Sequence, residues 1–393
     1  VFVVTEFRPQ ETIERLSEAW SRPPTFAFLP GRSSFTPAQA EEALRALPEP
    51  LQRDHFALLT SGSTGVPKLV IGSRARSEHL TDVLHEVQHS GPVRETILTL
   101  PLSYCYAFVN QFLWARTQSR RLVLTGGLAM PGLLLEALKD ADHAMLCLVG
   151  SQVPLLMEHT KGNRYPGVIR VHFAGGRFPQ ERLDDLRALF PEARVFNNYG
   201  CAEAMPRLTI RPAEANAEGA VIGKPIPGAE LSASPQAELL FRSVYRAVGQ
   251  IVNEVFEEYG DETWLPTGDL GMPMPDGQWR LLGRANEVFK RFGEKIAVPI
   301  IAATINPLWT GQLASYRERD QRGEEGYVFV LCPQPEAGVL NGMLQALQRS
   351  HPRTHWPLRI ESVGKMPSLA NGKIDSNALS GLPERVVHWR LSG

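Results

Sequence analysis

The feature that most constrains this chain is an alternation of short β-rich apolar runs with amphipathic segments through its first two-thirds. HFALLT (His55–Thr60), ETILTLPL (Glu95–Leu102), RRLVLTG (Arg120–Gly126), AMLCLVG (Ala144–Gly150), VIRVHFAGG (Val168–Gly176) and ARVFNNYG (Ala193–Gly200) read as strands. Each is ended by glycine or a turn, or runs into one, and most are apolar on both faces. Between them, RSEHLTDVLHEVQ, PGLLLEALKDA and PQERLDDLRALF carry helical spacing. The alternation predicts an α/β domain with largely buried strands, and its polar and glycine motifs fall at strand C-terminal ends, where open α/β sheets collect ligands. From Glu230 to Gly283 the texture changes to short strands and turns, which predicts a small β element. After Gly283 an α+β pattern begins with EVFKRFGEKI, YVFVLC, NGMLQALQRS and PLRIESVG.

With 393 residues the chain exceeds what one core usually supports. We place the boundary at 284/285, giving a large domain over 1–284 and a smaller one over 285–393. A formal net charge of −1 argues against nucleic acid as the main partner. Four scattered cysteines without a C-x-x-C pair argue against zinc and for a reducing, cytoplasmic setting. The most apolar run, MLCLVGSQVPLLM from Met145, is too short and broken for a membrane span. No signal peptide is recognised, and a chain starting at Val1 reads as trimmed or engineered.

TSGSTGVPK, from Thr60 to Lys68, suits a polyphosphate. Gly62 and Gly65 free the backbone to approach a ligand and aim N–H groups at an anion. Thr60, Ser61, Ser63 and Thr64 add hydroxyl donors, and Lys68 adds a charge. The spacing is not that of a Walker A loop: Val66 and Pro67 separate Gly65 from Lys68, and Leu69 stands where the metal-binding hydroxyl would be.

In order, the chain also carries AGG (Ala174–Gly176), NNYGCAE (Asn197–Glu203), TGD (Thr267–Asp269), GRANEVFKRFGEKI (Gly283–Ile296) and NGKID (Asn371–Asp375). That set resembles the adenylate-forming superfamily of acyl- and aryl-CoA synthetases, stand-alone adenylation domains and luciferase relatives, from about His55 to Leu379. The resemblance implies a large domain of stacked sheets closed by the β element and a mobile C-terminal domain. It also implies an ATP-dependent acid–thiol ligase: an acid and ATP give an acyl-adenylate, and the acyl group passes to CoA or a carrier protein's phosphopantetheine.

By resemblance the glycine loop, with Gly175, Gly176, Asn198 and Gly200, holds ATP, Tyr199 lies on adenine and Glu203 ligates Mg²⁺. Asp269 and Arg284 match the ribose contacts. Lys373 matches the lysine that bridges carboxylate and phosphate, relieving the repulsion between them in the transition state. Asn286, where the family commonly has aspartate, is the hinge, and Gly293 lines the pantetheine tunnel. Ala174, Tyr104, Tyr106 and Ala202 border the acyl pocket.

Several positions depart from the family pattern. The stretch before the glycine loop is short, which implies a pared-down N-terminal part, as in some o-succinylbenzoate-CoA ligases. Ala202 replaces the usual threonine, and Tyr104 stands where CoA ligases often have histidine. GEKIAVPII lacks the glutamates that usually follow the hinge. LPLSYCYAF has no aspartate to grip an α-amino group, and Tyr104, Tyr106 and Phe108 suggest an aryl or short acyl acid. The alternatives are an amino-acid-adenylating enzyme and a non-catalytic nucleotide-binding relative.

Overall fold

The computed structural model describes residues 1–33, 35–61, 67–215, 217–367 and 374–391. Two compact units are distinguished. One comprises 1–234, 239–267 and 273–280, and the other 235–238, 268–272 and 281–393.

The first unit holds two sheets. In one, β1 (Phe2–Thr5), β2 (Phe26–Leu29) and β3 (His55–Ser61) run parallel, and β4 (Pro67–Ser73) returns antiparallel to β3. Gly249–Val252 and Val255–Glu258 extend it as an antiparallel hairpin. Its core includes Ala27, Leu29, Ala57, Leu69 and Ile71 against Ala40 and Leu44 of helix Pro37–Arg45. That helix is started by a full capping box at Thr36, whose hydroxyl accepts from Gln39 N while Gln39 Oε1 accepts from Thr36 N.

In the other sheet, β5 (Glu95–Ile97), β6 (Arg121–Val123), β7 (Ala144–Leu148), β8 (Val168–Phe173) and β9 (Arg194–Tyr199) are parallel, in the order β6-β5-β7-β8-β9. Antiparallel β10 (Thr209–Pro212) and β11 (Val221–Pro225) continue it beyond β9. Leu146, Leu148, Val171 and Phe173 pack on one face against helices Pro131–Lys139, Val153–Thr160 and Leu183–Leu189. On the opposite side a helix runs from Cys105 to Thr117, with a π-helical stretch over Phe108–Leu113.

One expected element differs. The strand over Glu95–Leu102 stops at Ile97; Leu98 N still donates to Val123 O at 2.9 Å, and further on the Glu6 carboxylate takes the N–H groups of Leu102 (2.7 Å) and Ser103 (3.2 Å). Helix 105–117 begins at Cys105, within the stretch LPLSYCYAF.

In the second unit, strands Gln312–Arg319, Glu325–Cys332, Arg359–Ser362 and Val386–Arg390 form a sheet. Phe329, Leu331 and Ile360 face Met343 and Leu347 of helix Ala337–Ser350 and Ile301 and Ile305 of helix Val298–Ile305. A separate hairpin joins Val288–Arg291 to Glu294–Ala297. Its two turn residues, Phe292 and Gly293, both have positive φ (50° and 82°), as a tight hairpin turn of this twist requires.

Candidate active site

In the first unit, β3 delivers Thr60 and β4 begins at Pro67, with Thr60 paired to Lys68 across the ladder. Thr60 Oγ1 is buried and has no hydrogen-bond partner among the described residues. Gly62, Ser63, Thr64 and Gly65 lie outside the described residues. Lys68 Nζ donates to Glu203 Oε1, and each side chain is 18% exposed.

Glu203 sits on a short turn, Ala202–Ala204, directly after β9. A Cβ at Gly200 would run into the carbonyl oxygen of Pro206, so the turn carrying Glu203 needs glycine there. Ala247 N donates to the Glu203 carbonyl at 2.8 Å, tying that turn to the neighbouring chain. Tyr199 ends β9, buried and paired with Thr209. Asn198, one residue earlier, contacts His172 through its amide nitrogen at 3.3 Å from Nδ1.

Gly175 follows β8 with φ +76°, and a Cβ there would strike the Tyr104 hydroxyl. Only a glycine lets the Tyr104 hydroxyl and this backbone meet. Ala174 is buried beside Gly175, and a Cβ at Gly176 would meet nothing within 4 Å. The backbone at Gly176 is thus open to approach. Tyr106 packs 6.4 Å from the Tyr104 ring and is buried.

The Glu203 charge reaches two further groups. Burial, then Glu203, pushes the Cys105 thiol up, and the same two causes raise the Tyr259 phenol. Nothing in the sequence singles out Tyr259. It lies in a turn that reads as an ordinary loop, and only the fold brings it near Glu203.

The second unit holds Asp269 and Arg284. Arg284 Nε lies 3.1 Å from Asp269 Oδ1, and the Asp269 side chain is 13% exposed. Glu287 accepts from Arg284 N at 3.2 Å, and burial holds its carboxyl above the usual range. Gly283 must be glycine, since its φ is +136° and a Cβ would overlap Pro299. Asn286 lies on the turn Ala285–Glu287, and a Cβ at Gly293 would meet nothing within 4 Å. Lys373 lies outside the described residues. The structure thus groups Thr60, Lys68 and Glu203 in one unit and Asp269 with Arg284 in the other.

Among the described residues no cluster of three or more His, Cys, Asp or Glu side chains is placed to hold a metal ion. No helix among them is long and apolar enough to cross a membrane.

Residues 5–233 match the model of the AMP-binding enzyme family. The chain belongs to the AMP-binding enzyme family. This AMP-binding enzyme is 25% identical over 352 residues to a component of the plipastatin synthase of Bacillus subtilis (strain 168), an alignment covering 82% of the chain and 10% of that protein. It is 25% identical over 309 residues to the D-alanine–D-alanyl carrier protein ligase of Streptococcus pneumoniae (strain 70585), covering 68% of the chain and 58% of the ligase. The chain therefore spans between a tenth and about three-fifths of these curated relatives. Its fold is similar to that of o-succinylbenzoate CoA synthetase from Bacillus subtilis in complex with an acyl-adenylate intermediate. That match has TM-score 0.71 and 17% identity, covering 96% of this chain and 87% of that one.

Proposed function

We propose that this AMP-binding enzyme uses ATP to activate a carboxylic acid, aryl or short acyl, as an acyl-adenylate and then passes the acyl group to a thiol of CoA or of a carrier protein. The observation that carries this reading is the Lys68–Glu203 ion pair, set where β4 begins and β9 ends. A lysine and a carboxylate there supply one group for phosphate oxygens and one for a metal ion.

The residues fit ATP with Mg²⁺. Magnesium is commonly bound through one or two carboxylates plus phosphates and water, so a single Glu203 suffices. Thr60 brings a buried, unpartnered hydroxyl to the start of the glycine loop, and Gly176 leaves backbone open to a nucleotide. When bound, Mg²⁺ supplies charge neutralisation at the phosphates.

The chain's own groups then divide the work. Lys68 exchanges Glu203 for phosphate oxygens, which frees the carboxylate. Asp269, oriented by Arg284, accepts from the ribose hydroxyls, and Tyr199 borders the adenine. A substrate carboxylate oxygen attacks the α-phosphorus, and the bond from that phosphorus to the bridging oxygen breaks, releasing pyrophosphate. Lys373 bridges the two negative groups as they approach. In the second step the thiol sulfur attacks the acyl carbon and AMP leaves. We assign residues 285–393 the role of a mobile domain that delivers Lys373 and turns about Asn286, with Gly293 on the thiol's path. None of the four cysteines is in a disulfide, which supports a reducing, cytoplasmic setting where ATP is supplied.

The test is pyrophosphate release with ATP, Mg²⁺ and a panel of benzoates, cinnamates, fatty acids and amino acids, run beside Lys373→Ala. Acid-dependent release that drops by orders of magnitude in the variant is expected, and a thioester on adding CoA identifies the acceptor. ATP binding without release for any acid would overturn the reading.

A further inference from the structure

Cys147, His172 and Asn198 lie on one face of the parallel sheet. Cys147 is paired with His172, His172 with Phe196, and Asn198 stands two residues beyond Phe196. Side chains two apart on a strand share a face. Nearby are Arg207, just past the turn after β9, and Tyr106 and Asn110 of helix 105–117. The Arg207 guanidinium sits 5.7 Å from the Tyr106 ring and donates to Asn110 Oδ1, while Asn110 Nδ2 holds the Tyr106 carbonyl at 3.0 Å. The Tyr106 hydroxyl lies against Cys147 and Asn198. Arg207 is 0% exposed, His172 1%, Tyr106 2%, and Asn198 and Asn110 3% each.

A fully buried cation is costly unless its donors and charge are met. Four other arginines are buried among the described residues, and each donates to three acceptors, although the Nε of Arg74 and of Arg291 also lacks a partner. Arg74, Arg170 and Arg246 each donate to three backbone carbonyls, and Arg291 to Asp320 and two carbonyls. Among the described residues Arg207 has the Asn110 amide oxygen alone, and its Nε and Nη1 have no partner there. His172 Nδ1 faces the Asn198 amide nitrogen, which leaves the proton on Nε2, and that atom also lacks a partner. The unmet groups are thus three donor atoms around a positive charge, beside the Asn198 Oδ1 acceptor and the Tyr106 hydroxyl, which also lack a hydrogen-bond partner among the described residues.

Next to the cluster stands Tyr104, half-buried, with its hydroxyl on the Gly175 backbone and its ring against Tyr106. The cluster therefore adjoins the strand end assigned above to the substrates.

We infer that Arg207, with His172 and Asn198, determines specificity for an acid that carries a second oxygen function, a carboxylate or a phenolic oxygen, at the end remote from the carboxyl that is activated. The inference rests on the acid-activating reading above. Such an oxygen accepts from the idle Nε–H and Nη1–H groups, and a carboxylate also balances the buried charge. A methyl group in the same place leaves those donors unmet, and sites built to hydrogen-bond a substrate oxygen discriminate strongly against analogues lacking it.

The test uses the full chain and three acids of one shape: 4-methylbenzoate, 4-hydroxybenzoate and terephthalate, with butyrate and succinate as an open-chain pair. Pyrophosphate release is measured for the wild type, Arg207→Met and Arg207→Lys. In the wild type an oxygen-bearing acid is expected to exceed its methyl-ended partner in kcat/KM by about tenfold to hundredfold. Which acid does so separates carboxylate from phenol. Arg207→Met is expected to erase that ratio while leaving 4-methylbenzoate or butyrate turnover unchanged or raised. Arg207→Lys, which keeps the charge but not the planar fork, is expected to lower it severalfold, and it serves where the methionine variant does not fold. A wild type that prefers the methyl-ended acids, or a ratio that survives both substitutions, would overturn the inference with acid activation intact. If no acid supports turnover in any variant, calorimetric binding of terephthalate and 4-hydroxybenzoate decides. Binding to wild type that is lost in Arg207→Met supports the inference, whereas equal binding or none overturns it.

Discussion

Lys68 Nζ and Glu203 Oε1, from residues 135 apart in sequence, form an ion pair in which each side chain is 18% exposed. Each group keeps the other in place until a polyphosphate and its metal ion offer both a better partner. Removing Lys68 then costs ATP contacts more than chemistry. Lys68→Met is expected to raise KM for ATP about tenfold to hundredfold, the range for a charge-assisted hydrogen bond, with a smaller effect on kcat. Glu203→Gln is expected to raise the Mg²⁺ concentration needed for half-maximal pyrophosphate release. Steady-state kinetics over ATP and Mg²⁺ checks both, and an unchanged KM in Lys68→Met would take that lysine out of the phosphate site.

Arg74 is buried beneath the end of helix Pro9–Ser21. Its Nη1 donates to the carbonyls of Trp20 (3.1 Å) and Arg22, and its Nη2 to Pro24 at 2.6 Å. A cation at a helix C-terminus meets both the orphan carbonyls and the negative end of the dipole. Arg74→Met strands those acceptors and is expected to cost about 2–4 kcal/mol of stability. Urea unfolding followed by circular dichroism measures it, and a shift below half that range would mean that water replaces the guanidinium.

Burial lowers the pKa of His172 well below 6.5, and lowers those of His55, His85 and His351 as well. In the unfolded chain these rings take a proton near pH 6.5, whereas in the fold they stay neutral to lower pH. Below about 6.5 the unfolded state therefore binds more protons, so stability is full above that value and declines as pH falls toward the folded pKa values. The urea midpoint is expected to be lower at pH 5.5 than at 7.5, and His172→Gln is expected to reduce the difference. Equal slopes in the two proteins would show that His172 finds a counter-charge in the fold.

The parallel strands were legible in the sequence because both of their faces are buried, so they read as continuous apolar runs, and their glycine-marked ends pointed to the site. The adjacency of Lys68 and Glu203 was partly legible, since both fall in motifs that the family resemblance assigns to one bound nucleotide. Helix 105–117 was not. CYAFVNQFLWA is apolar and aromatic on nearly every side, with no polar stripe to reveal a helical period. Arg207 looked like a solvated arginine after a turn, and His172 like one more residue in a strand. Each gains its meaning from partners on other elements, which local spacing does not encode. The loop after that strand is another case: the Glu6 carboxylate that holds the N–H groups of Leu102 and Ser103 comes from far away in sequence.

The cysteines give a direct reading of how tightly helix 105–117 is held. Cys105 and Cys147 are buried, and burial pushes both thiols up, Cys147 to about 12. Cys201 and Cys332 are partly exposed. The thiolate is the reactive form, so burial protects Cys105 and Cys147 twice, by shielding the sulfur and by disfavouring its ionisation. At pH 8 the folded protein is expected to give two promptly reacting thiols with a disulfide reagent, and four in denaturant. Cys201 lies two residues before Glu203, so ATP with Mg²⁺ is expected to slow one of the two prompt reactions. Labelling of Cys105 at the rate of Cys201, identified by mass spectrometry of the peptides, would instead show that helix 105–117 lifts from the sheet.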